Sequence, residues 1–202
     1  MRREAFLTLI ISAAFVATFG GCTVLGSGQQ GTIEALESAD SSRRIEALSG
    51  LGNRVTPAMR GSLEEILRTD MNPTVRAMAA SALGDLGMEK SVEELRLSAR
   101  RDSSWIVRRR ALHALAGIAG GKVADDLRYV LNHDAQETVR VEAIQLAGEY
   151  LEGGVRTDIL LMGLKDDSHA VRLSAHLELS QLTGENIPPG DYEGWENAVQ
   201  SL

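Results

Sequence analysis

Four aspartates, Asp70, Asp102, Asp134 and Asp166, recur at a constant interval of 32 residues. Each is followed six positions later by an arginine: Arg76, Arg108, Arg140 and Arg172. A carboxylate that keeps returning with a guanidinium invites a catalytic reading. An active site normally occurs once, however, whereas a pair that returns with every unit of a chain fastens units together. An arginine in the first turn of a helix can reach back to the carboxylate six residues earlier or across to the loop of the adjacent unit. Charge-assisted bonds of that kind contribute about 1.5 to 3 kcal/mol when partly buried and about 0 to 1 kcal/mol when exposed. These eight residues are therefore read as a structural ladder.

The other reactive side chains form no catalytic set. His113, His133, His169 and His176 lie in different columns or units, and none pairs with another histidine at the i, i+4 spacing that binds a metal. The adjacent acids Glu64-Glu65, Glu93-Glu94, Asp125-Asp126 and Asp166-Asp167 point different ways on a helix or loop and read as solvated faces. No serine sits in a glycine elbow, and no glycine cluster has the strand-turn-helix context of a phosphate loop. The sequence predicts neither catalytic residues nor a metal or cofactor, and the chain is expected not to be an enzyme.

One local departure stands out. Arg96, Arg100, Arg101, Arg108, Arg109 and Arg110 crowd around Trp105 in a chain whose formal charge is -7. Apart from Arg108, they could form a basic patch for an anionic lipid, an envelope polymer or an acidic protein; pairing with neighbouring acids is the competing reading. The acidic balance argues against nucleic acid. Outward columns extend this candidate partner surface, from Arg101, Trp105, Arg109, Arg110 and His113 through Val141 and Gln145 to Leu173 and Leu177.

These residues must be carried by helices. Apolar positions repeat at intervals of three and four on both sides of each aspartate, as in Leu63, Ile66 and Leu67 before Asp70 and Val75, Ala79, Ala82 and Leu86 after it. Each 32-residue unit thus holds two helices, and a fixed period of this length marks a solenoid. Asn72-Pro73 is an N-cap and first-turn pair, and Ser104 and Ser168 share the Asn72 column. Gly87, Gly120-Gly121, Gly153-Gly154 and Gly184 are predicted to stop the second helices. A degenerate first unit places Arg44, Ala47 and Leu51 on the columns of Arg76, Ala79 and Leu83, with Ser38 in the aspartate column. Glu178 breaks the column of Ala82, Ala114 and Leu146.

The pattern Asp-x4-Val-Arg-x2-Ala, with the Ala82-Leu83-Gly84 ending, resembles HEAT-like repeats of the phycobilisome-lyase type over residues 33–184. The resemblance implies an all-α, right-handed α-solenoid of about five helix pairs, with the Asp and Arg columns forming a hydrogen-bonded ladder between units. It also implies that the second helices line the concave surface. Residues 185–202 leave the period at Pro188-Pro189 and carry Tyr192, Trp195, Val199 and Leu202 at helical spacing, which predicts a capping helix folded onto Leu173 and Leu177.

At the other end, Arg2 and Arg3 precede an apolar run from Phe6 to Phe19 and then Gly20-Gly21-Cys22, the layout of a signal peptide over residues 1–21. Phe19-Gly20-Gly21-Cys22 resembles the lipobox of bacterial lipoproteins, although Phe19 stands where an aliphatic residue is usual. The resemblance implies a lipid on Cys22, and Thr23 in place of aspartate implies sorting to the outer membrane, facing the periplasm. Residues 22–32 are expected to form a flexible tether. With Cys22 the single cysteine, no intramolecular disulfide or thiolate metal cluster can form. The sequence reading is a monomeric, membrane-tethered scaffold that binds a protein partner. A bilin lyase-like or chromophore-handling protein and an envelope protein contacting anionic polymer or lipid are the alternatives.

Overall fold

In a computed structural model the described residues are 27–201, and every regular element among them is helical. Five helix pairs follow one another: α1 (Ser27–Leu36) with α2 (Ser41–Ser49), α3 (Arg60–Thr69) with α4 (Pro73–Leu86), α5 (Val92–Arg101) with α6 (Trp105–Ala119), α7 (Ala124–His133) with α8 (Glu137–Tyr150), and α9 (Gly153–Gly163) with α10 (His169–Thr183). A last helix, α11 (Tyr192–Gln200), follows. The second helices α2, α4, α6, α8 and α10 pack side by side in one layer, and the first helices α1, α3, α5, α7 and α9 in the other. This is the expected α-solenoid of five pairs with a helix at its C-terminal end.

The core is the seam between the layers. Val75, Ala79, Ala82 and Leu83 are buried in α4, Val107, Ala111, Ala114 and Leu115 in α6, and Val139, Ala143, Leu146 and Ala147 in α8. The small alanines set how closely neighbouring helices approach. Gly84 carries this furthest, because a Cβ there would lie 2.8 Å from the Cβ of Ala114 on the next unit. Leucines of the first helices, Leu63, Leu67, Leu95, Leu127 and Leu160, close the seam from the other layer.

Several local expectations are revised. Helix α1 begins at Ser27, inside the segment 22–32 predicted to be a flexible tether, because Ile33 and Leu36 pack on the core and Thr32 Oγ1 donates to the Gly28 carbonyl. Ser104 occupies the N-cap position of α6 without a side-chain bond, whereas Asn72 and Ser168 do cap α4 and α10. Helix α8 already stops at Tyr150, and Gly153 opens α9 rather than ending α8. Cys22 and the predicted signal peptide lie outside the described residues, as does Leu202.

Helix α11 packs on α9 and α10. Trp195 is fully buried, its indole N–H donating to the Pro188 carbonyl at 3.1 Å and its ring meeting His176 edge to face at 5.5 Å. The Tyr192 hydroxyl donates to the Leu164 carbonyl at 2.8 Å. The helix therefore closes the last pair, but it leaves Leu173 and Leu177 uncovered, at 43% and 51% exposure. Trp195 meets α10 at His176, and the stripe expected under the tail remains a surface.

Candidate functional site

The ladder is built by the 32-residue period itself. An arginine six positions after one aspartate stands 26 positions before the next, and the structure uses the forward route. Arg76 donates through Nε and Nη2 to the two carboxylate oxygens of Asp102, both at 2.8 Å. Arg108 grips Asp134 at 2.7 and 2.8 Å, and Arg140 grips Asp166 at 2.8 Å on both prongs. The third prong stays at home: Nη1 of Arg76, Arg108 and Arg140 donates to the carbonyls of Asp70, Asp102 and Asp134, six residues back. Each aspartate also accepts from a backbone N–H two residues on, that of Asn72, Ser104, Gln136 or Ser168. A two-pronged guanidinium–carboxylate pair fixes direction as well as distance.

Two features of this ladder differ from the sequence reading. Arg44 of the degenerate first unit makes a full rung, with Nε and Nη2 on Asp70 at 2.6 and 3.1 Å and Nη1 on the Ser38 carbonyl. Ser38 is enough there because only its main-chain carbonyl is needed. At the other end, Arg172 holds the Asp166 and Asp167 carbonyls through Nη1 but has no carboxylate partner among the described residues. The position 26 residues on is Ala198. Hydrogen bonding and the facing carboxylates raise the pKa of Arg76, Arg108 and Arg140. Burial disfavours the charged form of Asp166, but the Arg140 and Ser168 N–H bonds and the charges of Arg140 and Arg172 outweigh it and hold its pKa below the ordinary value.

The arginine cluster is largely neutralised. Asp126, expected on a solvated face, is 2% exposed and accepts from Arg96 Nε at 3.1 Å and Arg100 Nη2 at 2.6 Å. The Arg100 guanidinium also lies 4.5 Å from the centre of the Tyr129 ring. Arg109 stands 3.7 Å from Glu142, and Arg108 belongs to its rung. Arg101 and Arg110 are exposed and make no ion pair among the described residues. A basic patch of five free arginines therefore does not exist: the neighbouring helix supplies acids that the linear sequence does not place beside them.

The predicted partner surface lies on the second-helix layer except for Arg101, the last residue of α5. His113 and Gln145 are exposed on α6 and α8, followed by Leu173 and Leu177 on α10. Trp105 and Ile106 are exposed at the start of α6, while Val141 is partly buried against the core. The face therefore runs from Arg101, Arg110 and His113 in the third unit to apolar side chains in the fifth. A wide concavity lies elsewhere, in the first unit, lined by residues such as Ala35, Ala47, Leu51, Arg54 and Met59. No group of three or more His, Cys, Asp or Glu that could hold a metal occurs among the described residues, and none of their helices is long and apolar enough to cross a membrane.

Glu178 has a local explanation. Its carboxylate fills the space in which a Cβ of residue 148 would stand, so Gly148 on α8 is the notch that admits it. Burial raises its pKa, and the charge of Arg156 only partly offsets that.

A two-layer stack of helix pairs tied by an arginine–aspartate ladder defines an α-solenoid. The HEAT-repeat family pattern matches residues 30–116 and 92–180, and the chain belongs to that family. Among solved structures it is similar to one in the complex of CpcE and CpcF of phycocyanin lyase from Nostoc sp. PCC7120, with 22% identity and a TM-score of 0.60 over 86% of this chain and 70% of that one. It is also similar to the X-ray structure of YibA from E. coli, with 20% identity and a TM-score of 0.58 over 80% of this chain and 60% of that one. No curated protein sequence matches. The expectation that the chain is not an enzyme is corrected by the first of these: its fold also occurs in a lyase complex. The lack of a recognisable catalytic set in a HEAT solenoid is therefore no ground for excluding an enzymatic role. At such identities the likeness itself shows the fold alone.

Proposed function

We propose that this chain is a protein-binding HEAT solenoid, exported and held at a membrane through a lipid on Cys22, with the exposed face of α6, α8 and α10 as its docking surface. The observation that carries the reading is the stretch from Arg110 and His113 through Gln145 to Leu173 and Leu177, which no other helix of the chain covers among the described residues. Stacked helix pairs offer a rigid, extended surface, and binding another protein requires nothing more of them. The cationic end suits an acidic stretch of a partner, and the leucine end suits an apolar one.

The test has two arms. Cys22→Ala should release the chain from the membrane fraction and abolish palmitate labelling; retention with unchanged labelling would overturn the anchor. Arg110→Glu combined with Leu177→Asp should dissolve any complex seen when gently solubilised membranes are sized, while leaving the melting temperature unchanged. A complex of undiminished size would overturn the docking face. The likeness to the lyase complex favours a second reading, a chromophore-handling role. A coloured adduct on co-expression with a bilin and an acceptor protein would support it, and a colourless product would dismiss it.

A further inference from the structure

Four of the five ladder arginines are closed. Arg44, Arg76, Arg108 and Arg140 each use Nη1 to bind a carbonyl of their own loop, and each offers Nε and Nη2 as a two-pronged fork to a carboxylate 2.6 to 3.1 Å away. Arg172 is anchored in the same way, Nη1 donating to the Asp166 carbonyl at 2.7 Å and the Asp167 carbonyl at 2.9 Å. Its fork has no acceptor among the described residues. Position 198, where the period would put the next aspartate, is alanine. The two open nitrogens are not among the buried polar atoms that lack partners, so solvent reaches them. The guanidinium is half-buried and held in the orientation that grips a carboxylate four times over in this molecule.

We propose that Arg172 is a socket for a carboxylate side chain of a partner protein. The inference rests on the protein-binding reading above and adds a second contact point to it, at the end of the solenoid. Anchoring of Nη1 lowers the ordering cost of the two-pronged bond, because the guanidinium plane is fixed before the ligand arrives. The Asp167 side chain, the nearest acid along the chain without an arginine of its own, makes no bond to the fork. In the aspartate column of the first unit stands Ser38, so a second copy stacked head to tail in the same register would offer no carboxylate at that position. The occupant is therefore an aspartate or glutamate of a different protein.

Acetate tests the socket directly. The full chain, labelled with nitrogen-15 arginine and kept in detergent, is titrated with sodium acetate replacing chloride at constant ionic strength, and the arginine Nε–H resonances are followed. Arg172 should shift downfield along a saturating curve, while Arg76, Arg108 and Arg140, already occupied, stay still and exposed Arg101 and Arg110 drift linearly. In Arg172→Lys the saturating signal should vanish and the rest of the spectrum should persist. An Arg172 response no different from that of Arg101 and Arg110 would overturn the proposal. That outcome leaves the α6–α8–α10 docking face standing, because crosslinks from that face report on it independently.

Discussion

Each rung of the ladder couples two units through one guanidinium. The Asp134 side chain is almost fully buried, and without Arg108 it keeps only the Gln136 N–H bond to Oδ1, so Arg108→Met leaves a buried charge without its counter-ion as well as removing two bonds. The expected loss is about 2 to 3 kcal/mol. In a chain of this size that is a fall of roughly 5 to 10 °C in melting temperature, readable by circular dichroism. Arg110→Met, which removes an unpaired exposed arginine, should change it little. Glu178 makes the opposite prediction. Because burial raises its folded pKa, the folded protein holds that proton more tightly than the unfolded chain. The stabilising contribution is complete below the ordinary glutamate value of about 4.3 and is lost as the pH rises through the folded value. Glu178→Gln should therefore raise the melting temperature near neutral pH, with the gain shrinking toward pH 4. A gain that does not depend on pH would mean that the carboxylate charge is not what burial penalises.

Among the elements, α11 has the most singular role. It closes the exposed end of α9 and α10 with one fully buried tryptophan and two side-chain bonds to main-chain carbonyls. Truncation after Gly184 should lower the melting temperature and expose the α9–α10 end to faster amide exchange. Trp195→Ala should reproduce most of the effect, at about 3 kcal/mol, because an indole of that burial leaves a large cavity. The paired helices were readable in advance: a 32-residue repeat of apolar positions names both helices of a unit and the face that each buries. The lateral neighbours were less so. Asp126 looked solvated because its partners, Arg96 and Arg100, lie on another helix, 30 and 26 residues earlier. The 26-residue interval was itself a usable signal. It also marks Arg44 as a rung with Asp70, a pairing hidden by reading the first unit for its missing aspartate. Conversely, the period could say nothing about α11, which lies outside it, and the expectation that the tail would cover Leu173 and Leu177 failed there.

On the scale of the whole molecule, the ladder and the alanine seam use up most of what is chemically conspicuous in the sequence. Remaining to meet a partner are the features that differ from unit to unit: Arg101 and Arg110, His113, Gln145, and the uncovered leucines of α10. Apart from Arg101, the last residue of α5, they share the second-helix layer, while the first helices present mainly paired or solvated charge. Photo-crosslinking in cells from positions 113, 145 and 177, compared with positions 97, 125 and 158 on the first-helix layer, tests this division most directly. Reproducible protein adducts are expected from the first set and few from the second. Equal yields from both layers, or adducts confined to the first-helix layer, would contradict it.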